Sequence, residues 1–225
     1  MQAKWTENDL FLFQHLIQED ADLENALEQS HKNQFPEHEV SKTQGMLLSI
    51  LIRMSKSKRV LELGTLAGYS TIWMAKAIPD DGVVVSLESE LDKYELASKN
   101  ILCTGLQDRV DLICGPAAQS LQKLIDAEVE PFDFIFIDAD KPNNPLYLRL
   151  CLQLSHSGTV IFGDNVIREG ELCNAENKDP KVMGVRQYIQ DLGSCEHLDS
   201  TAIQTVGIKG YDGFTLTFVK QGIRY

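Results

Sequence analysis

The sequence predicts a doubly wound α/β fold: a mostly parallel seven-stranded sheet with helices on both faces and a C-terminal antiparallel hairpin. From Arg59 onward, short β-branched and aromatic runs alternate with helical stretches, which is typical of a parallel sheet covered by helices. The run Phe132–Ile137 is almost wholly apolar, as in strands buried on both faces. Near the C-terminus, Asp212-Gly213 lies between two β-like runs and predicts a hairpin turn.

Each element follows from the period of its apolar residues. The predicted strands are Val60–Leu63, Val83–Leu87, Val110–Ile113, Phe132–Ile137, Thr159–Phe162, Ala202–Val206 and Phe214–Val219. The predicted helices are Glu7–Gln18, a segment near Leu23–Leu27, Ser41–Met54, Thr71–Ala77, Leu91–Leu102, Ala117–Ala127 and Leu146–Leu154. We expect the apolar stripes of the first three helices to pack in the core: Leu10, Phe13, Ile17, Leu23, Ala26, Leu27, Met46, Leu47, Ile50, Leu51 and Met54.

Length and composition predict one domain spanning residues 1–225. No apolar stretch is long enough to span a membrane, and the N-terminus lacks a signal-peptide pattern. The five scattered cysteines indicate reduced thiols, so we expect a cytoplasmic protein. A net charge of −12 disfavours a general nucleic-acid binder.

Acidic side chains follow two of the predicted strands directly. Asp138 comes after Phe132–Ile137, and Asp164 and Asn165 come after Thr159–Phe162. Because ligands bind beyond the carboxyl ends of parallel strands, these three oxygen ligands predict a site for Mg²⁺, Mn²⁺ or Ca²⁺. Taken singly, each cluster could equally be a solvated loop or a turn.

The first strand, glycine turn and helix start predict a cofactor site. Gly64 permits a close backbone approach to a ligand, and Ser70 can cap the helix or bond to a ligand carboxylate. Glu88 ends the second strand, where an acid can accept both ribose hydroxyls of a nucleoside. The dinucleotide glycine pattern and the Walker lysine are both missing, which disfavours NAD and ATP.

Three motifs together carry a family resemblance: residues 62–70 (ELGTLAGYS), residues 132–141 (FDFIFIDADK) and Gly163-Asp164-Asn165. With them the chain resembles the class I S-adenosylmethionine-dependent methyltransferases, which have a Rossmann-like sheet. It most resembles the divalent-metal-dependent O-methyltransferases grouped with caffeoyl-CoA and catechol O-methyltransferases, especially their small bacterial members. The match runs from about Val40 to the end.

The resemblance implies a role for each matching position. Glu62, Gly64, Thr65 and Ser70 would line the methionine half of S-adenosylmethionine, and Asp138 would also border the cofactor. The remaining cofactor positions are Glu88 at the ribose, Ala117 at the adenine, the Val40 backbone over the cofactor and Tyr147 toward the methionine carboxylate. The metal ligands would be Asp138, Asp164 and Asn165, with Lys141 as the general base. Residues 1–57 would cap the cofactor and acceptor site, and the protein would be a homodimer.

The implied function is Mg²⁺-dependent methyl transfer to a hydroxyl of a catechol-type phenolic, such as a hydroxycinnamate or a flavonoid. A cation chelated by two adjacent hydroxyls would lower their pKa and orient one oxygen toward the methyl group. The alternatives are methylation of a hydroxylated uridine in tRNA, which the acidic charge disfavours, a nicotinamide-dependent oxidoreductase and a catalytically silent cofactor-binding protein. Gln44 departs from the family pattern, which usually has a charged residue there, and polar residues 173–181 predict a lid or an insertion loop.

Overall fold

The computed structural model describes residues 1–220 and contains one seven-stranded sheet. The strands are β1 Arg59–Leu63, β2 Val83–Glu88, β3 Val110–Cys114, β4 Phe132–Ile137, β5 Ser155–Asp164, β6 Leu198–Gly207 and β7 Gly210–Val219. Their order is β3-β2-β1-β4-β5-β7-β6, parallel from β3 to β5, with β7 antiparallel to both of its neighbours. The predicted fold class is confirmed. The last five residues of the predicted domain, 221–225, lie outside the described part of the chain.

Helices cover both faces of the sheet. They are α1 Gln2–Leu16, α2 Ala21–Lys32, α3 Lys42–Ser55, α4 Tyr69–Ala77, α5 Leu91–Thr104, α6 Ala117–Asp126, α7 Asn144–Gln153 and α8 Pro180–Ser194. Side chains from α6, α7 and α8 pack in one hydrophobic core, and side chains from α2, α3, α4 and α5 pack in a second. None of the helices in residues 1–220 is both long and apolar enough to cross a membrane.

Strand β4 shows why the central strands have no polar face. Ile135 and Ile137 belong to one core, whereas Phe134 and Phe136 belong to the other, and all four are fully buried. Successive side chains of a strand point to opposite faces, so a strand between two helix layers buries apolar residues on both faces. The almost wholly apolar run in the sequence is the direct result.

The position of the hairpin turn was predicted wrongly. Gly207 pairs with Gly210, which puts the turn at Ile208 and Lys209, while Asp212 lies within β7. The Asp212 carboxylate accepts the main-chain N–H groups of residues 167 and 168 at 2.9 and 3.1 Å. The Asp-Gly pair therefore secures a neighbouring loop, a long-range use that looks the same in sequence as a turn.

The apolar stripes of α1 and α3 are only partly in the core, which corrects the prediction. Leu10 is 46% exposed and α1 buries no residue at all. On α3, Ile50 is 43% and Met54 75% exposed. The buried face of α3 carries a different set, namely Gly45, Leu48, Ser49 and Ile52. The helix contains apolar residues on two faces, and the sequence period does not say which of them meets the sheet.

Helix α8 was not predicted, and it contacts the segment predicted to be a lid or an insertion loop. Residues 180 and 181 of that segment already belong to α8. From the same helix, the Arg186 guanidinium donates to the main-chain oxygens of Glu171, Leu172, Asn174 and Asn177. One arginine thus ties four residues between 171 and 177, two of them in the polar segment, to the helix that follows.

Candidate active site

The strand ends on one side of the sheet form a continuous rim. Main-chain hydrogen bonds continue the ladder past the last residue of each strand: Gly64 N–H to Leu87 O at 2.9 Å, Asp138 N–H to Leu63 O at 2.9 Å, and Gly115 N–H to Glu88 O at 2.8 Å. Beyond the strand ends lie the polar side chains that the sequence singled out. The parallel arrangement therefore gathers residues distant in sequence along one edge.

Asp138 and Asp164 lie side by side on this rim. Asp138 directly follows β4, Asp164 is the last residue of β5, and the register pairs Ile137 with Gly163. The Lys141 ammonium donates to Asp138 Oδ1 at 2.7 Å, and its side chain is only 8% exposed. The structure thus brings together three of the predicted site residues: the two carboxylates and the lysine.

The pKa of the Asp164 carboxyl group is strongly raised. Burial, followed by the neighbouring charge of Asp138, raises its pKa to about 7, while Lys141 and a hydrogen bond from Gln44 oppose this shift. The Gln44 amide donates to Asp164 Oδ1 at 2.6 Å. Two carboxylates that repel each other in a buried place favour the binding of a cation between them.

Asn165 follows with a left-handed backbone, φ 53°, and is half-buried. Asparagine tolerates this conformation better than most residues. In the part of the chain that the structure describes, no three His, Cys, Asp or Glu side chains gather as a metal cluster. The predicted ligand set is of another kind, because it combines two carboxylates with one amide.

Glu62 is fully buried at the base of the rim and accepts three hydroxyl hydrogen bonds. Ser70 and Thr71 donate to it at 2.5 Å each, and Ser86 at 2.6 Å. Thr65 extends this network through a 2.6 Å contact between its hydroxyl and that of Ser86. Burial raises the pKa of Glu62 to about 7 even though the hydroxyls favour the charged form.

Glu88 stabilises the glycine turn that follows β1, at the predicted cofactor site. Its carboxylate accepts the N–H groups of Thr65 at 3.3 Å, Leu66 at 2.8 Å and Glu90 at 3.0 Å. Gly64 has φ 96°, and a Cβ there would lie 2.4 Å from the Asp138 carbonyl oxygen. A larger residue could not take this position, so Gly64 is needed for the packing of the two loops against each other.

The other predicted cofactor residues also lie along the rim or beside it. Ala117 is the first residue of α6, after the turn that ends β3, and is half-buried. Val40 is buried just before α3. The Tyr147 hydroxyl donates to the Asp140 carboxylate. Tyr147 therefore already has a partner other than the predicted cofactor carboxylate.

Sequence reasoning missed two contributors to the site and underrated a third. Ser86 and Thr71 were not singled out, although Ser86 is a polar residue within an otherwise apolar strand, which is a usable signal. Gln44 was noted as a departure, but its contact with Asp164 joins residues 120 positions apart. No local pattern predicts such a pair.

Comparison with known proteins identifies the family of this chain. A sequence model of the family described as O-methyltransferase matches residues 14–220. The chain belongs to the O-methyltransferase family. Within that family, a catechol O-methyltransferase of Mycobacterium tuberculosis is 42% identical over 212 residues, which is 94% of each chain. One of Niastella koreensis is 44% identical over 185 residues, 82% of this chain and 84% of its own length.

This chain is also similar to the solved structure of an O-methyltransferase from Bacillus cereus in complex with SAH. The two superpose with a TM-score of 0.96 at 44% identity, covering 98% of this chain and all of the other. The family resemblance drawn from the three motifs is confirmed, and the protein is a methyltransferase enzyme. This excludes the nicotinamide-dependent oxidoreductase as an alternative.

Proposed function

We propose that the protein transfers a methyl group from S-adenosylmethionine to one hydroxyl of a catechol-type phenolic, such as a hydroxycinnamate or a flavonoid, with Mg²⁺ as the cation. The observation that carries this proposal is the pairing of Asp138 and Asp164 at the ends of two adjacent strands, with Lys141 2.7 Å from the first. The catechol O-methyltransferases among its relatives support the same acceptor class.

The donor set fits a hard divalent cation. Asp138, Asp164 and Asn165 offer two carboxylates and one amide oxygen, the ligand types that Mg²⁺, Mn²⁺ and Ca²⁺ prefer. When bound, the cation would act as a Lewis acid that lowers the pKa of the acceptor hydroxyls. The raised pKa of Asp164 adds support, because positive charge would relieve its repulsion with Asp138.

We assign to Lys141 the role of general base, which removes the proton of the acceptor hydroxyl. Its ammonium nitrogen lies 2.7 Å from Asp138 Oδ1, and burial of its side chain restricts where that nitrogen can move. In its neutral form, Lys141 Nζ would take the proton of the acceptor hydroxyl as the C–O bond forms and the C–S bond of the sulfonium breaks. Asp138 fixes the position of the lysine, and alignment of donor and acceptor supplies much of the acceleration.

The cofactor would lie along the rim beside this centre. We assign Glu62, Gly64, Thr65 and Ser70 to its methionine half and Glu88 to the ribose. The buried hydroxyl network on Glu62 supports this. Ser70 donates its hydroxyl hydrogen to Glu62, so its oxygen lone pairs stay free to accept from the ammonium group of the methionine half.

Further assignments complete the cofactor site. They are Ala117 beside the adenine, Val40 and residues 1–57 as the cap, and Tyr147 toward the methionine carboxylate.

Labelled methyl transfer from S-adenosylmethionine tests the reaction. We expect methylation of catechols with Mg²⁺, none of monophenols, and loss of activity in excess EDTA. Asp164→Asn should lose activity, whereas Asp126→Asn, on the exposed surface of α6, should retain it. Transfer that survives EDTA would overturn the metal assignment. Transfer to undermodified tRNA but to no catechol would show that the acceptor is a tRNA uridine and not a phenolic.

A homodimer forms part of this proposal. The exposed side chains of Ile50, Met54, Ile203 and Phe218 are large and apolar. Met54 and Phe218 line a groove of about 520 Å³ between α3 and the outer strands. Exposed apolar surface of this kind is typical of protein–protein contacts, which supports the proposed dimer.

The oligomeric state tests that surface. Met54→Lys should shift the mass measured by light scattering from dimer to monomer, because it places a charge in the contact. Leu102→Lys, at a residue 62% exposed on α5, is the matched control and should leave the mass unchanged. A monomeric wild-type protein would contradict the proposal.

A further inference from the structure

Gln44 is the one side chain of α3 with a hydrogen bond to a carboxylate of the proposed cation site among the described residues. Its amide nitrogen lies 2.6 Å from Asp164 Oδ1. Asp164 is 6% exposed, so this donor satisfies one oxygen of a carboxylate that water scarcely reaches. A buried carboxylate with a fixed donor on one oxygen has a defined orientation.

The backbone of Gln44 is itself held from two sides. The Ser41 hydroxyl caps α3 by accepting the Gln44 N–H at 3.2 Å. The next residue, Gly45, lies against the indole of Trp73, where a Cβ would come within 2.5 Å of Nε1. The start of α3 is therefore fixed against α4. From that position the Gln44 side chain spans the gap to the end of β5.

The neutrality of this donor matters for a cation. A lysine or arginine at position 44 would orient Asp164 equally well, but its positive charge would compete with a divalent ion. An ionised glutamate has no hydrogen to donate, so it would not orient Asp164 Oδ1. An amide orients Asp164 Oδ1 without adding charge and leaves the second oxygen, Oδ2, for a ligand.

We propose that Gln44 is a positioning residue for a divalent cation, acting through Asp164. This inference rests on the proposed cation site and adds to it a residue from the N-terminal helices. It assigns Gln44 no contact with the reacting atoms. Groups that orient metal ligands in this way typically contribute 10- to 100-fold to metal affinity.

Direct binding of Mn²⁺ to the full-length protein tests the inference without measuring turnover. Gln44→Met keeps the length of the side chain but removes the donor, and Gln44→Ala removes the donor without adding volume. Gln187→Leu is the matched control, because Gln187 makes the same kind of bond, 2.7 Å to Asp191, on the exposed side of α8. Mn²⁺ dissociation constants come from electron paramagnetic resonance of free Mn²⁺, and SAH affinity is measured on the same samples by calorimetry.

We expect both Gln44 variants to raise the Mn²⁺ dissociation constant by about tenfold, at the lower end of the typical range. Gln187→Leu should match the wild type, and all four proteins should bind SAH within about twofold of one another, a difference well below one tenfold step of 1.4 kcal/mol. Equal Mn²⁺ affinity in the wild type and both Gln44 variants would overturn the positioning role alone. A wild type that binds SAH but no Mn²⁺ would overturn the cation site as well, so the two failures are distinguishable.

Discussion

Replacing Glu62 by glutamine should change how the stability of the protein depends on pH. The pKa of Glu62 is about 7 in the folded protein, because burial disfavours the charged form, against 4.5 for an ordinary glutamate. A folded-state pKa above the unfolded one means that folding binds a proton. The resulting stability is fully present below pH 4.5 and is lost as the pH rises through about 7.

The magnitude follows from the size of the shift. Each pKa unit corresponds to about 1.4 kcal/mol, so the difference between the ordinary pKa of 4.5 and the folded-state pKa of about 7 corresponds to roughly 3.5 kcal/mol over the full range. Between pH 5 and pH 8 most of this, about 2.5 kcal/mol, should disappear from the free energy of unfolding of the wild type. Glu62→Gln has no ionisable group at this position and should lack that loss.

Urea unfolding at a series of pH values between 5 and 8 measures the effect. The free energy of unfolding of Glu62→Gln minus that of the wild type should rise by about 2 to 3 kcal/mol across the series. Taking the difference cancels the contribution of Asp164, which both proteins share. Gln187→Leu, at an exposed position on α8, removes no ionisable group and is the control that should show a flat difference. A flat difference for Glu62→Gln too would refute the reasoning.

Three other substitutions test the packing and a second titration. Partial burial lowers the pKa of His156, but hydrogen bonds to a main-chain oxygen and a carboxylate outweigh it, so the pKa is raised. The contribution of His156 to the free energy of unfolding should therefore be lost as the pH rises above 6.5. In thermal melts at pH 5.5 and 8.5, His156→Asn should lower the midpoint at the lower pH only. Gly45→Ala should lower the free energy of unfolding in urea by about 1–3 kcal/mol, since the new methyl group meets the indole of Trp73. No loss would show that α3 can shift to make room for it. Phe162→Ala should lower the free energy of unfolding by about 3–5 kcal/mol, because the ring is fully buried and stacks on Phe214 with 4.5 Å between the ring centroids. A loss below about 1 kcal/mol would contradict that packing.

The architecture explains how the rim tolerates buried acidic groups. Glu62 and Asp164 are both buried, yet each accepts hydrogen bonds from side chains that other elements hold in place. Burying such groups is costly unless they are hydrogen-bonded. The rim therefore concentrates unfavourable electrostatics at one edge of a sheet that is otherwise stabilised by two apolar cores.

Some elements were predictable because their signal is local. The run Phe132–Ile137 forms β4 with the predicted bounds, and the helix predicted from Leu91 begins at that residue. The end of a strand fixes where the next side chain stands, so the strand pattern was enough to assign Asp138 and Asp164 to one rim. Alternation of strand and helix then determined the parallel sheet.

Other features were not local, and the sequence predicted them wrongly or not at all. Asp212-Gly213 has the composition of a turn, but Asp212 secures a distant loop instead. The apolar residues of α3 occupy two faces, so periodicity alone assigned Met54 to a core in which Ile52 stands instead. Both errors come from the same cause: the competing arrangement is stabilised by partners far away in the chain.

From the sequence alone came the mostly parallel sheet, its terminal hairpin, the family resemblance and the residue types on the rim, because strand period and motif spacing are properties of neighbouring residues. Only the tertiary structure revealed the hydroxyl network on Glu62 and the bond from Gln44 to Asp164. Those contacts join elements 24 and 120 residues apart, and they form only once both cores have packed and brought the helices against the sheet.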